Sequence, residues 1–387
     1  MDVVRLFLCG DVMTGRGLDQ VLPHPCDPML HEGYVQSALD YVRLAETRSE
    51  PIPRPVDPAY IWGVALDEWR RRAPDARIIN LETSITRSED FVDKGINYRM
   101  SPENAACLRA AAIDCCVLAN NHVLDWGKEG LCDTLSTLRK LGIETAGAGR
   151  DAAEAAAPAA LPVAGPGRVL VFSFALASSG TPRGWAAKSE RAGVNCLNDL
   201  SEASAGYVCD QVMRKRQADD IVVVSLHWGP NWGYDIEDEQ RRFAQALIDR
   251  AGVSIIHGHS SHHAKAIEVY CNKLILYGCG DFLNDYEGIG GNAEYRGDLA
   301  LMYFADIKTR GGDLVALHVV PLQIHQFRLI RPCVEDVDWM QRRLERESRR
   351  FGTTVMASGR SALKVKRTAD SSASATSDQS RSRRERP

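Results

Sequence analysis

Apolar residues in this chain fall into short runs rich in β-branched side chains, separated by segments of helical spacing. The runs VVRLFLCGD (3–11), ARIINLE (76–82), DCCVLAN (114–120), RVLVFSFA (168–175) and DIVVVSLHW (220–228) read as strands. So do VSIIHG (253–258), KLILYGCGD (273–281), LALMYFADI (299–307) and VALHVVPLQI (315–324). Helices are expected near 103–112, 128–141, 199–216 and 237–251. In the last of these Phe243, Ala246, Leu247 and Arg250 recur at helical spacing, with charges on the other face. This alternation predicts a layered α/β (α+β) fold.

Two stretches depart from it. Residues 22–60 hold seven of the seventeen prolines around one helix-like piece, VQSALDYVRLAET, and read as an insertion over the surface, either a wall of the site or simple elaboration. After a main domain spanning 1–330, VEDVDWMQRRLERESRRFG predicts a terminal amphipathic helix within 331–352. A Ser/Arg-rich tail, 353–387, is expected to be disordered, most clearly beyond Thr368.

Charge sharpens the picture. The chain carries a net −4, but Arg360–Pro387 alone carries +5, leaving a body of about −9. Such a body is poorly suited to a phosphate backbone, so no nucleic-acid partner is expected. No run of 18 apolar residues occurs, and Asp2 and Arg5 interrupt the first strand, so neither a membrane span nor a signal peptide is expected. Eleven scattered cysteines without a CxxC pair read as reduced core thiols, which implies a cytoplasmic protein.

Six strands end in polar clusters: Gly10-Asp11, Asn80-Leu81-Glu82, Asn120-Asn121-His122, Ser225-Leu226-His227, His257-Gly258-His259 and Gly280-Asp281. Strand ends gather functional groups at one edge of a rigid sheet. Six of the ten histidines (His122, His227, His257, His259, His262 and His263) lie in or just after three of these clusters. Histidine, carboxylate and asparagine suit divalent ions such as Zn, Mn or Fe. Asp11 and Glu82 supply the charge, and a bridging carboxylate is the usual way to hold two ions, which polarise a phosphoryl oxygen and bring a water pKa to about 7.

The ordered series GDVMTGRG (10–17), INLETSIT (79–86), LANNHVLDWG (118–127), AGAG (146–149), VVSLHWGPNW (223–232), HGHSSHHAKAIEVY (257–270) and KLILYGCGDF (273–282) resembles the CapA family. That family is named for capsule and poly-γ-glutamate synthesis and belongs to the calcineurin-like metallophosphatases. The resemblance implies a four-layer α/β/β/α sandwich and one or two divalent ions (Mn, Zn, Fe or Ca). It implies that Asp11 binds the first metal, Glu82 bridges, and Asn121 and His227 bind the second. His262 would face the first, with His259 beside it, and His122 would protonate a leaving group or contact a phosphoryl oxygen. Two departures stand out: the superfamily's Asp-x-His is here Asp11-Val12-Met13, and its Gly-His-x-His is Gly258-His259-Ser260-Ser261-His262.

Further candidates are Asp281 and His257, orienting ligands from behind, and Arg16, Arg99 and Trp228 on the substrate, a guanidinium clamping phosphate or carboxylate. Tyr98 stands beside them. For each guanidinium an ordinary ion pair is the alternative. The substrate is expected to be a small molecule, a peptide or an anionic polymer. Three functions compete: a metal-dependent phosphoesterase, a non-hydrolytic peptide-modifying enzyme such as an epimerase, and a non-catalytic component of capsule assembly.

Overall fold

The structure, a computed structural model, describes residues 3–165, 167–359 and 361–367. Among these, a ten-stranded and a seven-stranded sheet dominate. The first strand, Val3–Val12, lies inside the larger sheet, parallel to Ala76–Leu81 and antiparallel to Leu299–Lys308. The smaller sheet is built on the parallel strands Arg168–Leu176, Ile221–His227, Ile255–His259 and Lys273–Leu276.

Strand alternation shows how the layers stack. Leu6 and Leu8 pack with Val223 and Ile255 between the two sheets. Phe7 and Cys9 point the other way, toward a second core shared with Leu18, Trp69 and Leu135 of the helices Gly17–Val21, Ala65–Arg72 and Gly127–Lys140. In the smaller sheet Val222, Val224 and Leu226 pack instead on Val208 and Leu247 of the helices Glu202–Lys215 and Asp238–Ala251. Strands covered on both faces read as continuous apolar runs, which is why these segments show little alternation. The result is an α/β/β/α sandwich.

Three expectations need correcting. The run 273–281 is not one strand: Lys273–Leu276 belongs to the smaller sheet, and the chain then crosses to the larger one, where Asp281–Leu283 pairs with the first strand. The proline-rich stretch is more than surface. Its helix Ala38–Glu46, capped by the Ser37 hydroxyl, puts Val42 and Ala45 into the core with Ile52 and Val56.

The tail, too, begins as ordered chain. Thr353–Ala357 and Leu363–Arg367 form a hairpin that extends the larger sheet. Val355, Leu363 and Val365 bury against Val337, Met340 and Leu344 of the helix Val334–Arg349. Two short strands with few apolar positions were masked by the Ser/Arg bias around them. Residues 368–387 lie outside the described residues.

Leu344→Ala is expected to cost about 2–5 kcal/mol, and truncation after Gly352 to lower the urea midpoint. An unchanged midpoint in both would contradict this packing.

Candidate metal centre

Parallel pairing brings the C-terminal ends of strands from both sheets to one place. In the larger sheet Asp11 is in register with Asn80 on one side and Asp281 on the other. In the smaller sheet His227 is in register with His259. The two motif glycines make the first row possible: a Cβ at Gly10 would lie 1.6 Å from the Gly280 carbonyl oxygen, and the Asp11 N–H donates to that oxygen at 3.0 Å. Only bare backbone allows the aspartates so close.

Asp11, Glu82 and Asp281 are all buried. The Asn80 amide donates to Asp11 Oδ1 (2.7 Å) and is itself held by Asn120. Glu82 Oε1 lies 3.7 Å from His227 Nε2 and 3.9 Å from His122 Nε2, while Glu82 Oε2 has no hydrogen-bond partner. Burial, with Asp281 close by, raises Asp11 to about 7, and burial with Asp11 beside it raises Glu82 well above the carboxylate range. Each buried ion costs on the order of several kcal/mol unless compensated. A cation is the natural compensation. A buried carboxylate with one oxygen near two imidazoles and the other without a hydrogen-bond partner fits a divalent ion.

The histidines point the same way. His257 Nε2 meets the Cys9 carbonyl at 2.6 Å, and a carbonyl only accepts, so the proton sits on that nitrogen. His257 Nδ1 must then accept from the Ser225 hydroxyl (3.1 Å), and Ser225 Oγ must accept from His259 Nε2 (2.7 Å). This leaves a lone pair on His259 Nδ1, directed at His227 Nδ1 (2.7 Å) and 3.9 Å from Asp11 Oδ1. A hydrogen-bonded chain anchored on backbone thus selects the tautomer that a metal ligand needs. Burial, reinforced by neighbouring imidazoles, holds His227 and His259 far below the usual range, so both are neutral. Donor atoms of Asp11, His227 and His259 lie within 4.8 Å of one another.

Asn121 Oδ1 sits 2.9 Å from His227 Nε2. His262 Nδ1 pairs with Asp281 Oδ1 at 3.0 Å, and Asp281 Oδ2 accepts from Asn284. Burial opposes protonation of His262, but Asp281 outweighs it and raises the ring. Ser260, the first of the two residues between His259 and His262, adopts φ 97° and aims its N–H at Asp11 Oδ2 (3.2 Å). Such a backbone is costly for a side-chain-bearing residue and is maintained by its surroundings.

His122 stands at the rim. Its Nδ1 donates to Asp125 Oδ2 at 2.7 Å, and Lys94 ion-pairs with Asp125 Oδ1 at 2.9 Å. Burial lowers His122 to about 4 against the pull of Asp125. The ring is therefore a base at neutral pH and must take up a proton before it can deliver one to a leaving group.

The chain matches the family described as "Bacterial capsule synthesis protein PGA_cap" over residues 5–286. It belongs to that family. It is 45% identical to a probable polyglutamine synthesis accessory protein of Mycobacterium tuberculosis over 366 residues, covering 94% of this chain and 96% of that one. It is 28% identical to the PGA biosynthesis protein CapA of Bacillus subtilis over 327 residues, 84% of this chain and 73% of the relative. Among solved structures, GAP50, the anchor in the inner membrane complex of Plasmodium, aligns at 8% identity with a TM-score of 0.32, over 82% of this chain and 88% of that one, too low to support any inference. No helix among the described residues is long and apolar enough to cross a membrane.

For this PGA_cap member the three residues expected to touch substrate are engaged by partners within the protein. Arg16 is buried, fixed by two bonds to Asp285 (2.9 and 2.6 Å) and one to Glu32 (2.9 Å), with Tyr41 stacked on its guanidinium at 3.5 Å. Its charge is already spent on two carboxylates. Arg99 donates to the Ser88 carbonyl and Glu89 and stacks on Trp126. Trp228 is buried against Tyr277 and Phe243 and donates to the Tyr277 carbonyl, so it belongs to the core.

Other participants carried no assigned role beforehand. Ser225 and His227, like His257 and His259, are polar residues two apart on apolar strands, a same-face signal that could have found Ser225. Asp125 follows His122 by three residues. Lys94 lies in a loop and gave no signal.

Asp11→Asn and His227→Ala are expected to lose bound Mn by elemental analysis. Because the metal must displace the proton that Asp11 holds up to about pH 7, affinity should fall as pH drops through that value, by up to about tenfold per pH unit for one proton. The neutral histidines add nothing to this slope. Affinity flat from pH 8 to 5.5 would contradict the assignment.

Proposed function

We propose that the chain is a divalent-metal-dependent hydrolase of the phosphoesterase kind, acting in capsule or poly-γ-glutamate metabolism. The observation that carries this reading is the buried cluster of Asp11, His227 and His259, with donor atoms within 4.8 Å of one another, beside the buried carboxylates of Glu82 and Asp281. Asp11, His227 and His259 would hold one ion, and Glu82, Asn121 and His262 would complete it or hold a second. Such an ion supplies Lewis acidity toward a phosphoryl oxygen and toward water.

The remaining work falls to His122. With its Nδ1–H fixed on Asp125, Nε2 presents a lone pair beside Glu82, so it can take a proton from attacking water and pass it to the departing oxygen. Lys94 holds Asp125 in place by the ion pair and contacts the Asn121 carbonyl. Polymer metabolism enters through the names of the relatives in Mycobacterium and Bacillus.

The same neutral, carboxylate-oriented base also favours a second reading. A His122 able to deprotonate water could remove a C–H proton beside a carbonyl, as peptide epimerisation requires. Deuterium uptake from heavy water into a recovered peptide, without hydrolysis, would select it.

His122→Ala is expected to lower turnover of an aryl phosphate by about 10²–10⁴-fold while Mn content stays at the wild-type level, and Asp125→Asn to lower it in the same direction. Wild-type Mn binding without aryl phosphate turnover would remove the hydrolase reading, and absence of both would leave a non-catalytic role in polymer synthesis.

A further inference from the structure

Two phenols lie between the two outer histidines of the site. The Tyr98 ring packs on His122 with centroids 4.1 Å apart, and the Tyr286 ring meets His262 edge-on at 5.5 Å. Their hydroxyl oxygens are 2.6 Å apart. Behind them the buried Arg16 guanidinium faces both rings, at 4.8 and 5.8 Å. Arg16 is held by Asp285 and by Glu32 of the proline-rich stretch, whose other carboxylate oxygen accepts from Tyr41. The stretch from 22 to 60 therefore reaches the site through this chain of contacts.

Counting protons isolates one unusual group. Two phenols bring two protons, and one lies between the oxygens. Either phenol can supply that proton; when Tyr286 Oη turns its own to the Met13 sulfur, 3.4 Å away, Tyr98 donates within the pair. In that arrangement the Tyr286 proton has only a thioether to accept it, a weak acceptor. Burial raises both phenols, Tyr286 well above its ordinary value, so they remain protonated donors. Asp281 and Glu82 are near enough to raise them too, yet neither accepts the proton. Tyr98 is buried, whereas Tyr286 keeps part of its surface open to solvent. Met13, for its part, stands at the position of the histidine in the superfamily's Asp-x-His.

We infer that Tyr286, oriented by Tyr98, is the hydrogen-bond donor that receives an oxygen of the substrate's reacting group, the oxygen displacing the Met13 sulfur. The chemistry it recognises is an oxyanion, phosphoryl or carboxylate. A donor preset by Tyr98 and Arg16 needs no reorganisation when charge develops on that oxygen. The inference rests on the metal-site reading above and names the group that faces the metal ligands across the substrate. Arg16 acts through Tyr98 and Tyr286 as a positioning residue.

The test is calorimetric titration of the Mn-loaded full chain with inorganic phosphate in one arm and glutarate in the other. For whichever anion the wild type binds, Tyr286→Phe is expected to weaken affinity by about 10–100-fold, with Mn content and melting temperature unchanged. Tyr98→Phe should weaken it less, since Tyr286 keeps its proton. Met13→Leu removes the competing acceptor, so affinity should hold or rise. The arm that responds identifies phosphoryl or carboxylate as the recognised group. Equal affinity in Tyr286→Phe, a tenfold loss in Met13→Leu, or no binding of either anion by the wild type would each overturn the inference. Should Tyr286→Phe lose Mn, the Met13→Leu titration decides alone. Anion binding that depends on Tyr286, in a protein that leaves aryl phosphates untouched, would sink the hydrolase reading and leave the donor standing.

Discussion

The arrangement of this protein turns on one electrostatic constraint: carboxylates of like charge are buried side by side where two sheets meet. Asp11 and Asp281 are neighbours in register, and Glu82 joins them from the end of the next strand. Buried like charges at this separation raise each other's proton affinity or require a cation. The surroundings fit a cation. Asn80 and the Ser260 N–H donate to Asp11, and the two imidazoles beside it are neutral, with a lone pair on His259 Nδ1 aimed inward.

The fold provides this by geometry of connection. Residues 277–280 carry the chain from the smaller sheet to the larger, which sets Asp281 against Asp11 and, through Asn284 and His262, ties the last motif to the first. The Cys9 carbonyl then reaches across to His257, so the tautomer of His259 in one sheet is fixed by the backbone of the other. Displacing the sheets would therefore disturb the carboxylate and histidine cluster before it disturbed either sheet alone. The rim is more varied: His122 with Asp125 and Lys94 on one side, Tyr286 and His262 on the other.

Much of this was legible in the sequence because apolar runs and polar strand ends are local patterns. The strands 3–12, 221–227 and 255–259 and the helix 238–251 follow from periodicity, and the motifs at their ends name Asp11, His227 and His259. What failed was anything set by partners distant in sequence. Arg16 looked like an anion clamp because nothing local announces Asp285, 269 residues away, or Glu32, whose charges consume it. Trp228 directly follows His227, yet strand alternation turns it to the opposite face. The hairpin 353–367 was hidden by composition, since Val355, Leu363 and Val365 become meaningful only against the helix that precedes them.

The central claim is that the carboxylate and histidine cluster holds a divalent cation, and anomalous scattering from crystals grown with Mn tests it most directly. The account predicts an anomalous peak contacted by Asp11, His227 and His259, with the 2.7 Å contact between the two Nδ1 atoms opened to admit it. No peak at saturating Mn, with that imidazole contact intact and a proton shared between Asp11 and Glu82, would contradict it.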